Sequence, residues 1–361
     1  MRGWRESWMS AKSALEEAVM PVPAPRWISE SDVVQLMHLG EAVEALRRGL
    51  LEEAAGTARN MEKTAAHWGT SSNMHAIGAV FEDAGVFGTK TWGNTPEGGS
   101  TPLLLLWHAT TARLLAIIEA RALGQMRTAA MSAIATRWMS DEGADDLAII
   151  GSGKQALTQV AAIAAVRRLR RVRVFSPTPT KREAFVEKLR STFPAIEIAA
   201  ADDAERATKD ASIITLITRA RDPVISASMV ACGAHVNAAG AITRERREFA
   251  QDLFARASRV AVDTLPAARQ LSAELIEWYD GAQAGDWSSV ELISDIVAAR
   301  RPRPTGTDIS LFKPMGMGIS DVALAIEITA RAQASGLGQL LPPPGLATPR
   351  LSGTLAQETA A

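Results

Sequence analysis

The chain has 361 residues, of which 47% are apolar and 22% charged, and its formal net charge is −1. That length suggests about two hydrophobic cores, and the composition is that of an ordinary soluble globular protein. The near-zero charge leaves no broad basic surface to neutralise phosphates, which argues against a nucleic-acid partner.

In chain order, the first thirty residues carry Trp4, Trp8 and Trp27 with Pro21, Pro23 and Pro25, and read as an arm packed on the surface or on a second subunit. They lack the apolar block of a signal peptide. Residues 30–54 read as one helix capped at Ser31 or Asp32. Between 74 and 118, short apolar runs broken by glycines read as strands and turns. Residues 120–139 are helical again. A new regime starts at Asp145: buried strands are expected at 147–150, 172–175, 196–198, 213–216, 235–238 and 260–262, alternating with helices. Such alternation specifies an α/β domain, a mostly parallel sheet with helices on both faces. Residues 308–312 read as a further strand, 318–334 as an amphipathic helix, and the tail after Pro342 as loose. Arg167, Arg168, Arg170, Arg171 and Arg173 read as the solvated basic end of a helix. The single cysteine, Cys232, reads as inert packing and the lack of a disulfide framework fits a reducing compartment. The five histidines have no paired spacing, against a histidine-built metal site. With no apolar run long enough for a membrane span, the expected location is the cytoplasm.

Gly151-Ser152-Gly153-Lys154-Gln155-Ala156 follows a strand, opens a helix and precedes a second strand about twenty residues on, which is the context a dinucleotide pyrophosphate requires. Gly151 permits the tight turn, Gly153 the close approach of backbone to phosphate, and Ala156 the close packing of helix on sheet. After the second strand stand Ser176, Thr178, Thr180, Lys181 and Arg182, with no carboxylate before Glu183. Hydroxyls and cations suit a 2′-phosphate, so NADP(H) is favoured and NAD(H) is the alternative.

Gly124-Gln125-Met126-Arg127-Thr128-Ala129-Ala130 shortly before this turn resembles the ornithine cyclodeaminase/mu-crystallin family. Further matches are Gly88-Thr89-Lys90, His235-Val236-Asn237-Ala238-Ala239-Gly240, Val262-Asp263 and Phe312-Lys313-Pro314-Met315-Gly316. The resemblance implies a Rossmann-type doubly wound domain (129–317) inserted into an α+β substrate and dimerisation domain (1–128 with 318–361), and a homodimer. It implies hydride transfer between a nicotinamide and the α-carbon of an amino acid, keto-acid-derived imine or cyclic imine. A carboxylate substrate needs a cationic clamp, for which Arg59, Lys90 and Arg127 are the candidates. By the resemblance Arg59 and Arg127 hold the carboxylate, Lys90 touches the carboxylate or polarises the C=N carbon, and Asp263 handles the amine. Thr101, Thr128, Thr215, Asn237 and Lys313 match family positions near the cofactor.

The segment His75-Ala76-Ile77-Gly78-Ala79 departs from the family pattern. Gly78 stands where a proline is usual, which suggests a looser strand edge. His75 stands where the cyclodeaminase has a glutamate for a distal ammonium, which weighs against ornithine cyclisation. The preferred expectation is therefore an NAD(P)H-dependent imine or ketimine reductase or amino-acid dehydrogenase. The alternatives are an ornithine cyclodeaminase, which returns the hydride and releases ammonia, and a non-catalytic NADPH-binding protein of crystallin type.

Overall fold

Two sheets organise the computed structural model, which describes residues 24–281 and 285–349. Trp4, Trp8, Pro21 and Pro23 lie outside the described residues, as does the tail from Arg350. The strands are β1 (Arg26–Ile28), β2 (Ala58–Trp68), β3 (Ser72–Phe81), β4 (Val86–Asn94), β5 (Leu103–His108), β6 (Leu114–Glu119), β7 (Asp146–Ile150), β8 (Arg171–Phe175), β9 (Glu197–Ala200), β10 (Ile213–Leu216), β11 (His235–Ala238), β12 (Ala257–Val262), β13 (Glu291–Leu292), β14 (Ile309–Lys313) and β15 (Gln339–Leu340). The helices are α1 (Glu30–Leu36), α2 (Leu39–Ala54), α3 (Arg121–Met139), α4 (Ala156–Ala164), α5 (Pro179–Thr192), α6 (Ala204–Thr208), α7 (Asp252–Arg256), α8 (Leu265–Leu271), α9 (Ala273–Tyr279), α10 (Ile293–Ala298) and α11 (Gly318–Ser335).

The first sheet has the order β15-β1-β6-β5-β4-β3-β2 and is antiparallel except where β1 meets β6. Trp27 of the N-terminal segment is built into it on β1, and its indole N–H donates to Glu119 at 3.3 Å. Because side chains alternate along a strand, the register Ile77↔Lys90↔Leu104↔Ile118 defines one face. That face is roofed by α2, α3 and α11, with Leu46, Leu123, Ile319 and Val322 fully buried in the shared core. The opposite face carries Met61, Trp68, Met74 and Val80, each more than a third exposed, beside Phe87 stacked on Trp107 at 5.3 Å.

The second sheet, β13-β12-β14-β11-β10-β7-β8-β9, is parallel throughout. Leu147, Ala148, Ile149 and Ile150 are all buried, as expected of a strand covered on both faces. From β7 the chain moves outward through β8 and β9, then returns to β10 on the other side of β7. That reversal opens a crevice at the C-terminal end of β7, the place where doubly wound sheets take ligands. The alternating strands and helices expected after residue 145 are thus the Rossmann-like sheet observed. The long helix α3 runs straight through residue 129 and packs against both α2 and α4.

Several expectations are corrected. The helix expected over 30–54 is two helices. Met37 is extended, Ser29 caps α1 in a capping box with Asp32, and His38 caps α2 in another with Glu41. Gly78 makes its strand tighter rather than looser. It lies inside the sheet, and a Cβ on Gly318 would stand 1.9 Å from the Gly78 carbonyl oxygen. The two glycines thus let the start of α11 sit directly on β3. The arginine cluster is not simply a solvated helix end. Arg167 is buried and donates to the carbonyls of Thr136 and Arg137 at the end of α3, while Arg171 and Arg173 pair with the buried Asp146. Cys232 is exposed rather than packed. Among the described residues no helix is long and apolar enough to cross a membrane.

Candidate active site

The dinucleotide half is made of backbone. Gly151 has φ +117, its N–H donates to the Phe175 carbonyl at 2.8 Å, and a Cβ there would meet the Ile217 carbonyl oxygen at 2.6 Å. A Cβ on Gly153 would meet nothing within 4 Å, so a ligand has room to approach the chain. No side chain caps α4; the Ala156 N–H donates to the Gly153 carbonyl at 3.0 Å, which leaves the next N–H groups of the first turn for a phosphate. The buried Gln155 Oε1 has no hydrogen-bond partner. This open glycine cradle, with a helix start that no side chain caps, fits a dinucleotide pyrophosphate. Ser152 and Ser176 are joined through their hydroxyls at 3.0 Å, which ties the turn to the end of β8. There Arg182 folds back, buried, to donate to the Ser176 carbonyl at 3.1 Å while its Nε lacks a hydrogen-bond partner. Lys154, Thr178 and Lys181 are exposed at the rim.

The second half is made of charge. Lys90, on β4 in the middle of the first sheet, is 4% exposed, and its ammonium bonds Asp321 Oδ1 at 2.5 Å. Asp321 sits on the first turn of α11 and is also buried. Arg127 of α3 places its Nε 3.5 Å from the same oxygen. Its fork lies against Gly316, where a Cβ would stand 3.2 Å from Nη1. On the other side of Gly316, the Asp263 carboxylate accepts the N–H groups of Met315 and Gly316, each at 2.7 Å. Thus Lys90, Arg127 and Asp263, from β4, α3 and the end of β12, converge around one loop. Burial pushes the Lys90 ammonium down to about 8, with Asp321 opposing and Arg127 and Lys63 reinforcing the fall. Burial raises the Asp263 carboxyl against the pull of its two amide donors and Arg127.

Lys63 also belongs to this cluster. Its ammonium is lowered by burial and by Arg127, and supported by Asp263. Arg59 does not. It pairs with Val80 in register, so it lies on the face opposite Lys90, where it is exposed and salt-bridged to Glu82. The physical reason is a bulge: the register of β2 on β3 shifts between Met61 and Thr64. Counting back from Ala65, which opposes His75, puts Lys63 on the Lys90 face. His75 lies on that face too, 5.2 Å from the Trp92 ring and edge-on to His67. Burial, then Lys63 and His67, lower its pKa, so the imidazole is uncharged at neutral pH, and its buried Nδ1 lacks a partner.

Four expected cofactor residues are placed otherwise. Thr101 is exposed two residues before β5, in a shallow pocket with Trp68 and Met74 on the outer side of the first sheet. Asn237 is spent inside the protein, donating to Thr136 and paired with His235, whose pKa burial pushes down to about 3. Thr128 donates to the Gly124 carbonyl along its own helix. Lys313 is fully buried on Glu274 at 3.1 Å. Glu274 also accepts the Glu248 N–H, and the Glu248 carboxylate takes Thr218, Gly240 and Ala241 N–H groups. Lys313 therefore reaches the crevice only through the loops this network holds. Thr215 is buried with an unpartnered hydroxyl.

A model of the ornithine cyclodeaminase/mu-crystallin family matches residues 26–336. The chain is 28% identical over 321 residues to a delta(1)-pyrroline-2-carboxylate reductase of Bacillus cereus, covering 86% of this chain and 98% of that one. It is 26% identical to an iminosuccinate reductase of Paracoccus denitrificans, again over 86% and 98%. Among solved structures it resembles the Thermococcus litoralis delta(1)-pyrroline-2-carboxylate reductase in complex with NADH and L-proline, with TM-score 0.82, 26% identity, and coverage of 88% and 100%.

Proposed function

The chain belongs to the ornithine cyclodeaminase/mu-crystallin family, and from that premise we propose that it is a reduced-nicotinamide-dependent imine reductase acting on the imine of an α-keto acid, cyclic or open. The observation that carries this reading is the convergence of Lys63, Lys90 and Arg127 on the Asp263–Gly316 loop. Three cations face the carboxylates of Asp263 and Asp321; Asp321 is already committed to Lys90 and Arg127, and Glu53, which neighbours Asp263, is pushed up to about 7 by burial. The remaining positive charge is what an anionic substrate needs.

In this reading the Arg127 fork and Lys63 hold the substrate carboxylate. Lys90, charged below about pH 8, stands at the reacting end and polarises the C=N group. Asp263, held rigid by two backbone N–H groups, holds the charge of the protonated imine nitrogen. The bound reduced nicotinamide supplies the hydride. His75, uncharged and tilted against the Trp92 ring, forms a neutral wall. It suits an aliphatic or ring substrate and gives no counter-charge to a distal ammonium, which weighs against ornithine cyclisation. Support for a 2′-phosphate comes from Ser176 and Arg182 and from the lack of a carboxylate at the end of β8, so NADPH is the proposed coenzyme and NADH the alternative. The exposed apolar outer face of the first sheet supports a homodimer through that surface. The first sheet with α11 is the proposed substrate and dimerisation domain, and the second sheet the dinucleotide domain. The single cysteine supports a cytoplasmic location.

The test is incubation with NADPH or NADH and delta(1)-pyrroline-2-carboxylate, followed at the nicotinamide band. The reading predicts stoichiometric coenzyme oxidation and proline formation. Absence of oxidation, with proline and ammonia made from ornithine and a catalytic amount of NAD, would overturn it.

A further inference from the structure

The direct cross-strand neighbours of Lys90, Ile77 and Leu104, are apolar and buried. The charged and titratable groups around it come from more distant positions of the same sheet and from the elements packed on it. They are Lys63 on β2, His75 on β3, Arg127 on α3, Asp263 after β12 and Asp321 on α11. Among the described residues only Asp321 bonds the Lys90 ammonium. Asp321 is delivered by the close seat of Gly318 on Gly78, which sets the first turn of α11 against the strand beside Lys90. One oxygen, Oδ1, faces both cations, while Oδ2 is buried without a hydrogen-bond partner.

We propose that Asp321 is the positioning residue of the reaction: it keeps Lys90 charged and fixes the Lys90 and Arg127 side chains relative to each other. The proposal rests on the imine-reductase reading for the role of Lys90, though not for the ion pair itself. A lone ammonium buried among apolar side chains sheds its proton, and a bonded carboxylate opposes this. Burial has already brought Lys90 down to about 8, with Arg127 and Lys63 pushing the same way and Asp321 opposing them. If Asp321 becomes neutral, the Lys90 pKa falls further, and a rate that needs charged Lys90 declines at lower pH.

The experiment measures kcat at saturating imine against pH for the wild type, Asp321→Asn and Asp321→Glu. The alkaline limb is expected to move down by about 1–3 pH units in Asp321→Asn and to stay in place in Asp321→Glu, even at reduced rate. A slower Asp321→Asn enzyme with its alkaline limb unmoved overturns the proposal and leaves Asp321 a structural residue. Melting temperatures of Lys90→Met, Asp321→Asn and the double variant supply a readout without turnover. Paired charges predict that the double variant melts above either single variant, and additive losses contradict that. A wild-type protein inactive on imines would sink the functional reading, while this cycle would still decide the pairing.

Discussion

The two halves of the site are built from different materials. The dinucleotide crevice is a feature of backbone, set by a glycine in a conformation other residues rarely adopt, an open glycine beside it and an uncapped helix start. The charged cluster proposed for the substrate is a feature of side chains, drawn from β2, β4, α3, α11 and the end of β12. A backbone cradle is encoded in six consecutive residues. A charge cluster is encoded by where five separate segments pack. The first tolerates any distant change that leaves its turn intact, whereas the second depends on every segment that delivers a charge.

Substitutions in each half test whether they are separable. The largest effect is expected from Lys90→Met, which should lower kcat by about 10²–10⁴-fold and leave the Kd for NADPH, measured by fluorescence titration, nearly unchanged. Equal losses in both would mean that the halves are not separable. Gly151→Ala is the mirror experiment. Its Cβ would meet the Ile217 carbonyl oxygen at 2.6 Å with φ at +117. Strain of about 1–3 kcal/mol should weaken coenzyme binding by roughly 10–100-fold, read in the same titration. Arg127→Lys should raise the KM for the imine by about tenfold, because a point charge replaces a planar fork. Arg182→Ser should cost NADPH about tenfold in kcat/KM and leave NADH nearly unaffected, since only the former carries the 2′-phosphate. At the small end, Lys63→Ala should raise KM several-fold, while Arg59→Ala, which removes an exposed ion pair, should change KM by less than about twofold. Reversal of that last pair would restore Arg59 to the clamp and put the β2 bulge in question.

What could be read in the sequence follows the same division. The parallel sheet was legible because buried strands and their helices alternate in short order, and the coenzyme turn because its parts are contiguous. The motif around Arg127 and the Lys90 and Asp263 positions were legible through family resemblance. Lys63 was not, because the resemblance carried the clamp to Arg59, and the bulge that turns Arg59 to the other face of β2 is not written in the residue types. A count back across the hairpin from His75 would have found it. Asp321 was hidden among the other polar residues of an amphipathic helix, although a carboxylate on the buried face of α11 is itself a signal that a cation waits opposite. The break at His38 was missed because histidine is an uncommon cap. Gly78 was misjudged because its role is fixed by Gly318, 240 positions further along the chain.

In the proposed reaction hydride passes from the coenzyme to the α-carbon of an imine acid and stays there. The most direct test uses NADPH (or NADH) deuterated at the transferable position of the nicotinamide, with delta(1)-pyrroline-2-carboxylate as acceptor. The prediction is one deuterium per proline, at the α-carbon, matched to one coenzyme oxidised. Coenzyme that binds but is not consumed, or proline that carries no deuterium, would contradict it.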